Sequence, residues 1–278
     1  MTSFRSTVNA FLPTVFYACN EPHGSVTLAQ SGSSGAPAAT VAGTPSLGFP
    51  SLLTDGSGDT ACYQSGNNID LGWHIAADPA FNVIAADSFS LMAVVAAYGP
   101  QSQAFASVFG QFNCTQGAYE LHVAQNGFVG TYFQDVVVGH TTIDTSFPPS
   151  LNDGLPHLIG MVRDHSGPTL SFWMDGRQVA LITDPTTAAI TNASTAERIG
   201  CRVNCGGFFT FSGAYQDLAF FRSVLSGAAW ETLYSAMWGG NPPPPGGAQQ
   251  STLQQELINA ATLARIEAYV SKTYQNAP

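Results

Sequence analysis

Residues 157–182 read HLIGMVRDHSGPTLSFWMDGRQVALI and carry the clearest strand pattern of the sequence. They hold three short apolar segments bounded by turn residues, namely 157–163, 169–174 and 178–182. Asp175 and Gly176 tolerate the positive φ angles of a tight two-residue turn, so the last two segments are predicted to form a β-hairpin. Because side chains alternate across a strand, we expect Phe172 and Trp173 on opposite faces of this hairpin.

Similar segments recur on both sides of this stretch. They are rich in Val, Ile, Phe and Tyr and are bounded by Gly, Pro, Asn or Asp; the clearest are Phe89–Tyr98, Phe105–Phe112, Tyr119–Ala124, Phe128–Phe133 and Tyr215–Phe221. Asn126 and Gly127 predict a second hairpin. In its first strand, alternation is expected to place Tyr119, Leu121 and Val123 on one face and Glu120 and His122 on the other. Up to residue 225 no stretch shows convincing helical periodicity. Regularly spaced short strands with turn signals predict an all-β sandwich or barrel.

Two of these segments are apolar on both faces. In Phe89–Tyr98 and His157–Arg163, apolar residues occupy odd and even positions alike. Such strands are expected at the centre of a sheet with both sides covered. In a two-sheet fold the second face then needs an extra layer, a long loop or a neighbouring subunit.

The two ends of the chain differ from this pattern. Residues 31–60 are rich in Gly, Ser, Thr and Pro, so residues 1–70 are predicted to be either an arm or long loops with short edge strands around 61–63 and 68–71. Near the other end, residues 226–237 predict a short helix capped by Ser226.

The sequence predicts three parts along the chain. Residues 1–238 form the β domain, residues 239–250 form a Pro/Gly linker, and residues 251–278 form a C-terminal helix. Ser251 suits the N-cap of that helix, with Gln254 at the spacing of a capping box. One stripe of the helix is apolar, made of Leu253, Leu257, Ala260, Ala264 and Ala268, and it is widened by Leu263, Ile266, Val270 and Tyr274. This stripe is expected to pack on its own domain or, alternatively, to form an oligomer contact.

Composition excludes several classes of function. Only 9% of the residues are charged, the formal net charge is −10, and the eight basic residues are scattered along the chain. They cannot form a stripe that tracks phosphates, so nucleic-acid binding is not expected, and an acidic surface repels anionic membranes. The N-terminus lacks the positive cluster and apolar core of a secretory signal, which predicts synthesis in a cytoplasm. Five cysteines do not make a disulfide framework.

The segment 150–180 resembles the core hairpin of laminin-G-like, or concanavalin-A-like, jelly rolls. The resemblance rests on Asp153-Gly154, His157 at the start of an apolar strand, and a strand that ends in Phe-Trp-Met-Asp-Gly at 172–176. Ile199-Gly200, Phe211-Ser212-Gly213 and a helix that opens at Leu225-Ser226 resemble the ending of the family, and the match covers roughly residues 10–238. The resemblance implies a two-sheet antiparallel jelly-roll sandwich with a short helical extension at the C-terminus. It also implies the kind of lectin-like domain found in tailed-phage virion proteins.

No motif in the sequence indicates catalysis. Glycan-cleaving members of this fold resemble one another in a Glu-x-Asp-x-x-Glu strand, yet none of the six glutamates here has another carboxylate two or four residues away. There is no Gly-x-Ser-x-Gly elbow, and no His-x-His or His-Glu-x-x-His spacing for zinc. We therefore predict no catalytic residues, no metal ligands and no cofactor. Calcium stays open, because Asp55, Asp59, Asp135 and Asp144 lie in or near loops, although no loop clusters three acids.

Aromatic residues offer a candidate glycan platform. The predicted glycan-binding residues are Trp173, Trp73, Tyr132 and His122, with packing in the core as the alternative for each aromatic ring. Trp173 is the first candidate, because alternation places it opposite Phe172.

Three functions follow from these observations. The first is a non-enzymatic structural protein of a tailed-phage virion, located on the capsid, fibre or tail. Such a protein would associate with itself and with other virion proteins, and could contact polysaccharide of the host. The second is a carbohydrate-binding adhesin, and the third is a glycan hydrolase with an atypical site.

Overall fold

The computed structural model describes residues 3–43, 45–65, 72–101, 104–112, 117–137, 143–191, 196–204 and 207–242. Two largely antiparallel β-sheets stack face to face and form a sandwich. This confirms the all-β jelly-roll architecture predicted from the sequence.

The described residues contain eighteen strands, two α-helices and one 3₁₀ turn. The strands are β1 Val15–Tyr17, β2 Thr27–Leu28, β3 Ala39–Ala42, β4 Ser46–Pro50, β5 Thr60–Gln64, β6 Gly72–Ile75, β7 Phe89–Ala97, β8 Phe105–Phe112, β9 Ala118–Ala124, β10 Phe128–Gln134, β11 Ile143–Ser150, β12 His157–Asp164, β13 Thr169–Met174, β14 Arg177–Thr183, β15 Glu197–Ile199, β16 Cys201–Asn204, β17 Gly207–Thr210 and β18 Gly213–Phe221. The helices are α1 Phe4–Ala10 and α2 Gly227–Met237, and the 3₁₀ turn is Pro79–Phe81.

Strands from distant parts of the chain are neighbours in both sheets. Sheet A has the order β14-β13-β12-β7-β18-β5-β4, and β1 also pairs with β18. Sheet B has the order β11-β10-β9-β8-β15-β6-β3-β2, and β17 pairs with both β8 and β16. The segment 15–64 supplies β1 to β5 and so contributes strands to both sheets.

Aromatic rings fill the space between the sheets. The ring centroid of Phe89 lies 5.6 Å from that of Phe220, 5.3 Å from that of Tyr119 and 6.3 Å from that of Phe133. All four side chains are fully buried. Burying a side chain of this size contributes about 1.5–3 kcal/mol, so this cluster is a main source of the stability of the sandwich.

The two helices cover the outer face of sheet A. The apolar residues that β7 and β12 turn away from the sandwich interior form a second core with residues of α1 and α2; its members include Met92, Val94, Leu158, Val162, Phe4, Val8, Trp230, Leu233 and Met237. The two-sided apolar pattern is therefore explained by an extra layer from the same chain. A neighbouring subunit is not needed to cover these strands.

Helix α1 is absent from the sequence predictions. Its seven residues are too few for periodicity to show. The side chain of Ser3 accepts a hydrogen bond from the backbone N–H of Ser6 and caps the helix, and Asp55 Oδ2 accepts one from Phe4 N at 2.7 Å. Arg5 then joins the helix to sheet A, because its Nε donates to Asp217 Oδ1 at 3.0 Å.

Both predicted hairpins are present, and they differ in turn chemistry. Asp175 and Gly176 have φ angles of 51° and 78°, as a two-residue turn with positive φ at both positions requires. Between β9 and β10 only Gly127 has positive φ, at 82°. There the side chain of Asn126 accepts a hydrogen bond from Phe128 N at 3.0 Å, so Asn126 stabilises the turn through its amide group.

Several predicted segments lie outside the described residues. These are the edge strand at 68–71, most of the linker 239–250 and the C-terminal helix 251–278. The helix predicted at 226–237 is α2, with Ser226 at its N-cap. Among the described residues, no helix has the length and apolar character needed to cross a membrane.

Candidate functional site

The outer face of sheet B carries a cluster of polar and aromatic side chains. On β9, Tyr119, Leu121 and Val123 point into the core between the sheets. Strand alternation, as predicted from the sequence, turns Glu120 and His122 to the other side. Helices α1 and α2 pack on sheet A, and this outer face of sheet B is the other broad surface of the sandwich.

Arg202 of β16 lies at the centre of this cluster. Its Cζ atom lies 4.2 Å from the ring centroid of Phe112 and 4.6 Å from that of Phe209. The same Cζ atom lies 5.3 Å from the ring centroid of Tyr132 and 5.9 Å from that of Phe105. Distances below about 6 Å are those of cation–π contacts, so four rings stabilise one guanidinium group.

A carboxylate and an imidazole complete the centre. Arg202 Nη1 donates to Glu120 Oε1 at 3.3 Å and to Oε2 at 3.4 Å. His122 Nδ1 lies 3.2 Å from Glu120 Oε1. Glu120 is 1% exposed and His122 is fully buried, so water competes little for these contacts. Together the three side chains form a charged centre under the aromatic rings, which we call the Arg202 cluster.

Gly130 makes room for this arrangement. A Cβ atom built on Gly130 would overlap the backbone oxygen of Thr145 on β11 and would lie 2.5 Å from His122 Nε2 and 2.8 Å from Ser146 Cβ. Real Cβ atoms essentially never approach other atoms this closely. The glycine inside β10 therefore lets the imidazole of His122 lie across the neighbouring strand.

The rim of the cluster is half-buried and aromatic. Phe105, Phe112, Tyr132 and Phe209 keep part of their surface accessible, whereas Arg202 below them is 4% exposed. The rings of Phe112 and Tyr132 meet edge to face with centroids 4.9 Å apart. The face thus offers flat apolar surfaces with polar groups directly beneath them.

Polar groups also line the edge of the rim. The hydroxyl of Tyr132 donates to Gln134 Oε1 at 3.3 Å. On β11, partial burial raises the pKa of Asp144 above its ordinary value, while the nearby His122 and Arg202 act to lower it. These hydrogen-bonding groups surround the apolar ring surfaces.

A second polar pair lies further along the same face. Arg198 of β15 donates through Nη1 to His74 Nε2 of β6, and both residues are half-buried. Thr40 Oγ1, on the next strand, donates to His74 O at 3.3 Å. Two of the eight basic residues, Arg198 and Arg202, therefore belong to this face of an otherwise acidic chain.

The structure separates the four predicted glycan-binding residues. Tyr132 and His122 both belong to the Arg202 cluster. Trp73 is fully buried in the core between the sheets and presents no surface to a ligand. Trp173 lies on the outer side of sheet A, opposite Phe172 as predicted. Its ring stacks on that of Trp230 of α2, with the ring centroids 5.7 Å apart and an angle of 9° between the ring planes. Packing against the helix layer covers one face of the Trp173 ring, and the ring lies on the opposite sheet from Tyr132.

Sequence reasoning did not find the centre of the cluster. Alternation on β9 puts Glu120 and His122 on the same face, and this pair is the sequence feature that points to the cluster. Arg202 is 82 residues from Glu120 along the chain, and nothing in the sequence shows that β16 lies beside β8.

Other ionisable groups of the described chain have structural partners. His157 Nδ1 lies 2.7 Å from Asp175 Oδ2, and its Nε2 lies 3.1 Å from Asp153 Oδ1. Burial disfavours the charged imidazole, but the two carboxylates outweigh it and raise the pKa of His157 to about 10. His157 therefore links the hairpin turn at Asp175 to the start of β12 and has a structural role.

The loop carboxylates considered for calcium serve as anchors. Asp55 accepts from Phe4 N, Asp59 pairs with Arg5 at 2.9 Å, and Asp135 accepts from Val137 N at 3.0 Å. Across the described ranges, no three His, Cys, Asp or Glu side chains are arranged to hold a metal ion.

Comparison with solved structures identifies the fold. The binding domain of Paraclostridial Mosquitocidal Protein 1 is similar over 81% of this chain and 54% of its own, with 10% identity and a TM-score of 0.58. Domain 4 of a GH43 extracellular arabinanase from Geobacillus stearothermophilus, in complex with arabinotriose, is similar over 80% of this chain and 98% of its own, with 14% identity and a TM-score of 0.54. The CBM40 module of the Ruminococcus gnavus IT-sialidase, bound to α2,3 sialyllactose, covers 62% of this chain and 97% of its own, with 14% identity and a TM-score of 0.50.

The likeness is one of fold. At these identities it shows the two-sheet jelly-roll fold alone. Neither the protein-family models nor the curated protein sequences give a match to this chain.

Proposed function

We propose that this protein is a non-enzymatic carbohydrate-binding module whose ligand binds the outer face of sheet B, on the rim of the Arg202 cluster. The observation that carries the proposal is the combination of four half-buried aromatic rings with a charged, hydrogen-bonded centre on one sheet face.

The chemistry of this face suits a sugar. A pyranose ring has one apolar face of C–H groups and an edge of hydroxyls, so it needs a flat apolar surface next to hydrogen-bonding groups. Phe112 and Tyr132, whose ring planes are 75° apart, each offer an apolar ring surface, while Gln134, Asp144 and the tyrosine hydroxyl supply hydrogen bonds. Aromatic side chains also lose little conformational entropy on binding, because they have only two χ angles.

The structural neighbours support the same class of ligand. The arabinanase domain is described with arabinotriose and the CBM40 module with sialyllactose. One of these sugars is neutral and the other is acidic, so the neighbours support a glycan without selecting one.

The virion hypothesis receives less support. The apolar outer strands that suggested assembly are covered by α1 and α2. Location on a virion, contact with other virion proteins and self-association stay predictions, and all are compatible with a glycan-binding face.

The proposal is tested by glycan-array screening of the full chain, with and without calcium, followed by titration of the best glycan. Tyr132→Ala should weaken binding at least about tenfold, which corresponds to about 1.4 kcal/mol. Tyr98→Ala is the matched control, because Tyr98 is an equally half-buried tyrosine that packs on the other sheet with Phe49 and Tyr63. Blank arrays under both conditions, or equal affinity of the two variants, would contradict the proposal.

The hydrolase alternative has a separate test. Glu120, the buried carboxylate of the cluster, pairs with Arg202 and His122, and Asp144 on β11 is a second carboxylate close enough for Glu120 to raise its pKa. Glycoside hydrolysis needs two carboxyl groups facing each other across the bond, whereas here the contact with Arg202 holds one of the two. Incubation of the protein with the best glycan should release no reducing ends. Release of reducing ends that is abolished in Glu120→Gln would establish an enzyme instead.

A further inference from the structure

A groove runs between α1 and α2 on the surface of the helix layer. Its volume is about 650 Å³, and Ala10 and Phe11 at the end of α1 face Ser235 and Ala236 of α2 across it. Leu12, directly after these residues, is 78% exposed. Ala10 on α1 and Ser235 and Ala236 on α2 leave a partly apolar channel between the two helices.

The described chain ends beside this groove. Gly239 and Gly240, which follow α2, line the groove themselves. Pro242, the last described residue, lines an adjoining cavity of about 240 Å³, and Glu231 lines both. The remaining 36 residues of the chain therefore start at the edge of the groove.

The sequence of these remaining residues matches the groove. Residues 251–274 predict an amphipathic helix whose apolar stripe has Ala260, Ala264 and Ala268 at four-residue spacing. Helices pack when the side chains of one enter the grooves of another, and the small side chains of Ser235 and Ala236 leave room for a third helix to approach α2. The apolar stripe of the segment therefore has a partly apolar surface within reach.

The connection is long enough for docking. Eight residues, 243–250, separate Pro242 from Ser251, and an extended chain spans at most about 3.3–3.6 Å per residue, or about 28 Å. The eleven residues of α2 span about 16 Å, so the segment can enter the groove from either end. A short tether also gives the segment an effective concentration in the millimolar range, which favours this occupant over a separate molecule.

We propose that residues 251–274 of the same chain dock as a helix in the groove between α1 and α2. The inference does not depend on glycan binding, because the groove lies on sheet A and the Arg202 cluster lies on sheet B. It gives the apolar stripe of the C-terminal segment a partner and adds a third helix to the layer on sheet A.

The test is hydrogen–deuterium exchange of the full-length protein with charge substitutions on the segment. Ala264→Glu places a carboxylate in the middle of the apolar stripe, in a groove that already contains Glu231. Thr262→Glu adds the same charge on the opposite side of the predicted helix and is the matched control. Ala264→Glu should speed exchange in α1 and α2 at least about tenfold, while Thr262→Glu should leave it unchanged.

A second pair of variants probes the groove itself. Ala10 and Asn9 are both exposed on α1, but only Ala10 lines the groove, so Ala10→Glu should reproduce the effect of Ala264→Glu and Asn9→Glu should not. Equal exchange in the wild type and all four variants would overturn the proposal. A dimer in light scattering that dissociates in Ala264→Glu would overturn it as well, because the occupant would then be the segment of a second copy.

Discussion

Substitution of Gly160 by alanine tests whether α2 packs on sheet A as described. Gly160 lies on β12, facing outward, and the ring of Trp230 occupies the space above it. A Cβ atom there would overlap Trp230 Cη2 and would stand 2.6 Å from Leu91 O and 2.7 Å from Trp230 Cζ2. Trp230 cannot yield easily, because it is fully buried and stacked on Trp173.

The expected loss of stability follows from these contacts. Overpacking of a tight core costs about 1–3 kcal/mol, and the upper half of that range applies because one of the close atoms belongs to the backbone. Replacing glycine by alanine returns about 0.4–1 kcal/mol through the unfolded state. The net loss should be about 2 kcal/mol, or a fall of about 4–8 °C in the melting temperature for a domain of this size.

Urea unfolding followed by tryptophan fluorescence measures the effect. Gly167→Ala is the control, because a Cβ atom at Gly167 meets its nearest atom at 4.0 Å, and its stability should change by less than about 0.5 kcal/mol or rise slightly. Combining Gly160→Ala with Trp230→Phe should cost less than the sum of the two single changes, because the smaller ring relieves the overlap. If Gly160→Ala is as stable as Gly167→Ala, α2 does not pack over β12 in the way described.

Three further substitutions have defined outcomes. The pKa of His157 is raised to about 10 beside Asp175, so the charged histidine stabilises the fold fully below its ordinary pKa of 6.5. Urea titrations should show the free energy of unfolding falling as pH rises from 6.5 to about 10. His157→Gln should lack this fall. Burial raises the pKa of Glu197 well above its ordinary 4.5, so as pH rises the unfolded chain loses this proton first and the stability falls above pH 4.5. Glu197→Gln should remove that fall. A pH profile of stability equal to that of the wild type would contradict the raised pKa of Glu197. Gly130→Ala should displace both the backbone of β11 at Thr145 and the imidazole of His122, costing about 1–3 kcal/mol in urea unfolding and weakening glycan binding; unchanged affinity would show that neither contributes to the binding site.

Local patterns predict the strands and the two hairpins well. The segments beginning at Phe89, Phe105 and Thr169 have the predicted bounds to within one residue. Asp175-Gly176 turns the chain as predicted, since its geometry is set by two adjacent residues. These features depend on interactions within about ten residues, and the sequence displays such interactions directly.

Features that depend on distant parts of the chain could not be predicted. Trp173 was placed on the correct face of β13, but only the position of α2 shows that Trp230 covers that face. Trp73 alternates with His74 on β6, and the sequence does not say which of the two points into the core. Arg202 reaches Glu120 only because β16, which pairs with β17, also lies close to β8, and no local pattern in the sequence shows this.

The most direct test of glycan binding at sheet B is chemical-shift mapping of the full-length protein with its best glycan. Addition of the sugar should shift the amide signals of Phe112, Glu120 and Tyr132 along a binding curve that saturates, while those of Trp173 and Trp230 stay in place. Shifts that cluster on α2 and β13 instead, with the β8–β10 signals unmoved, would contradict a binding face on sheet B.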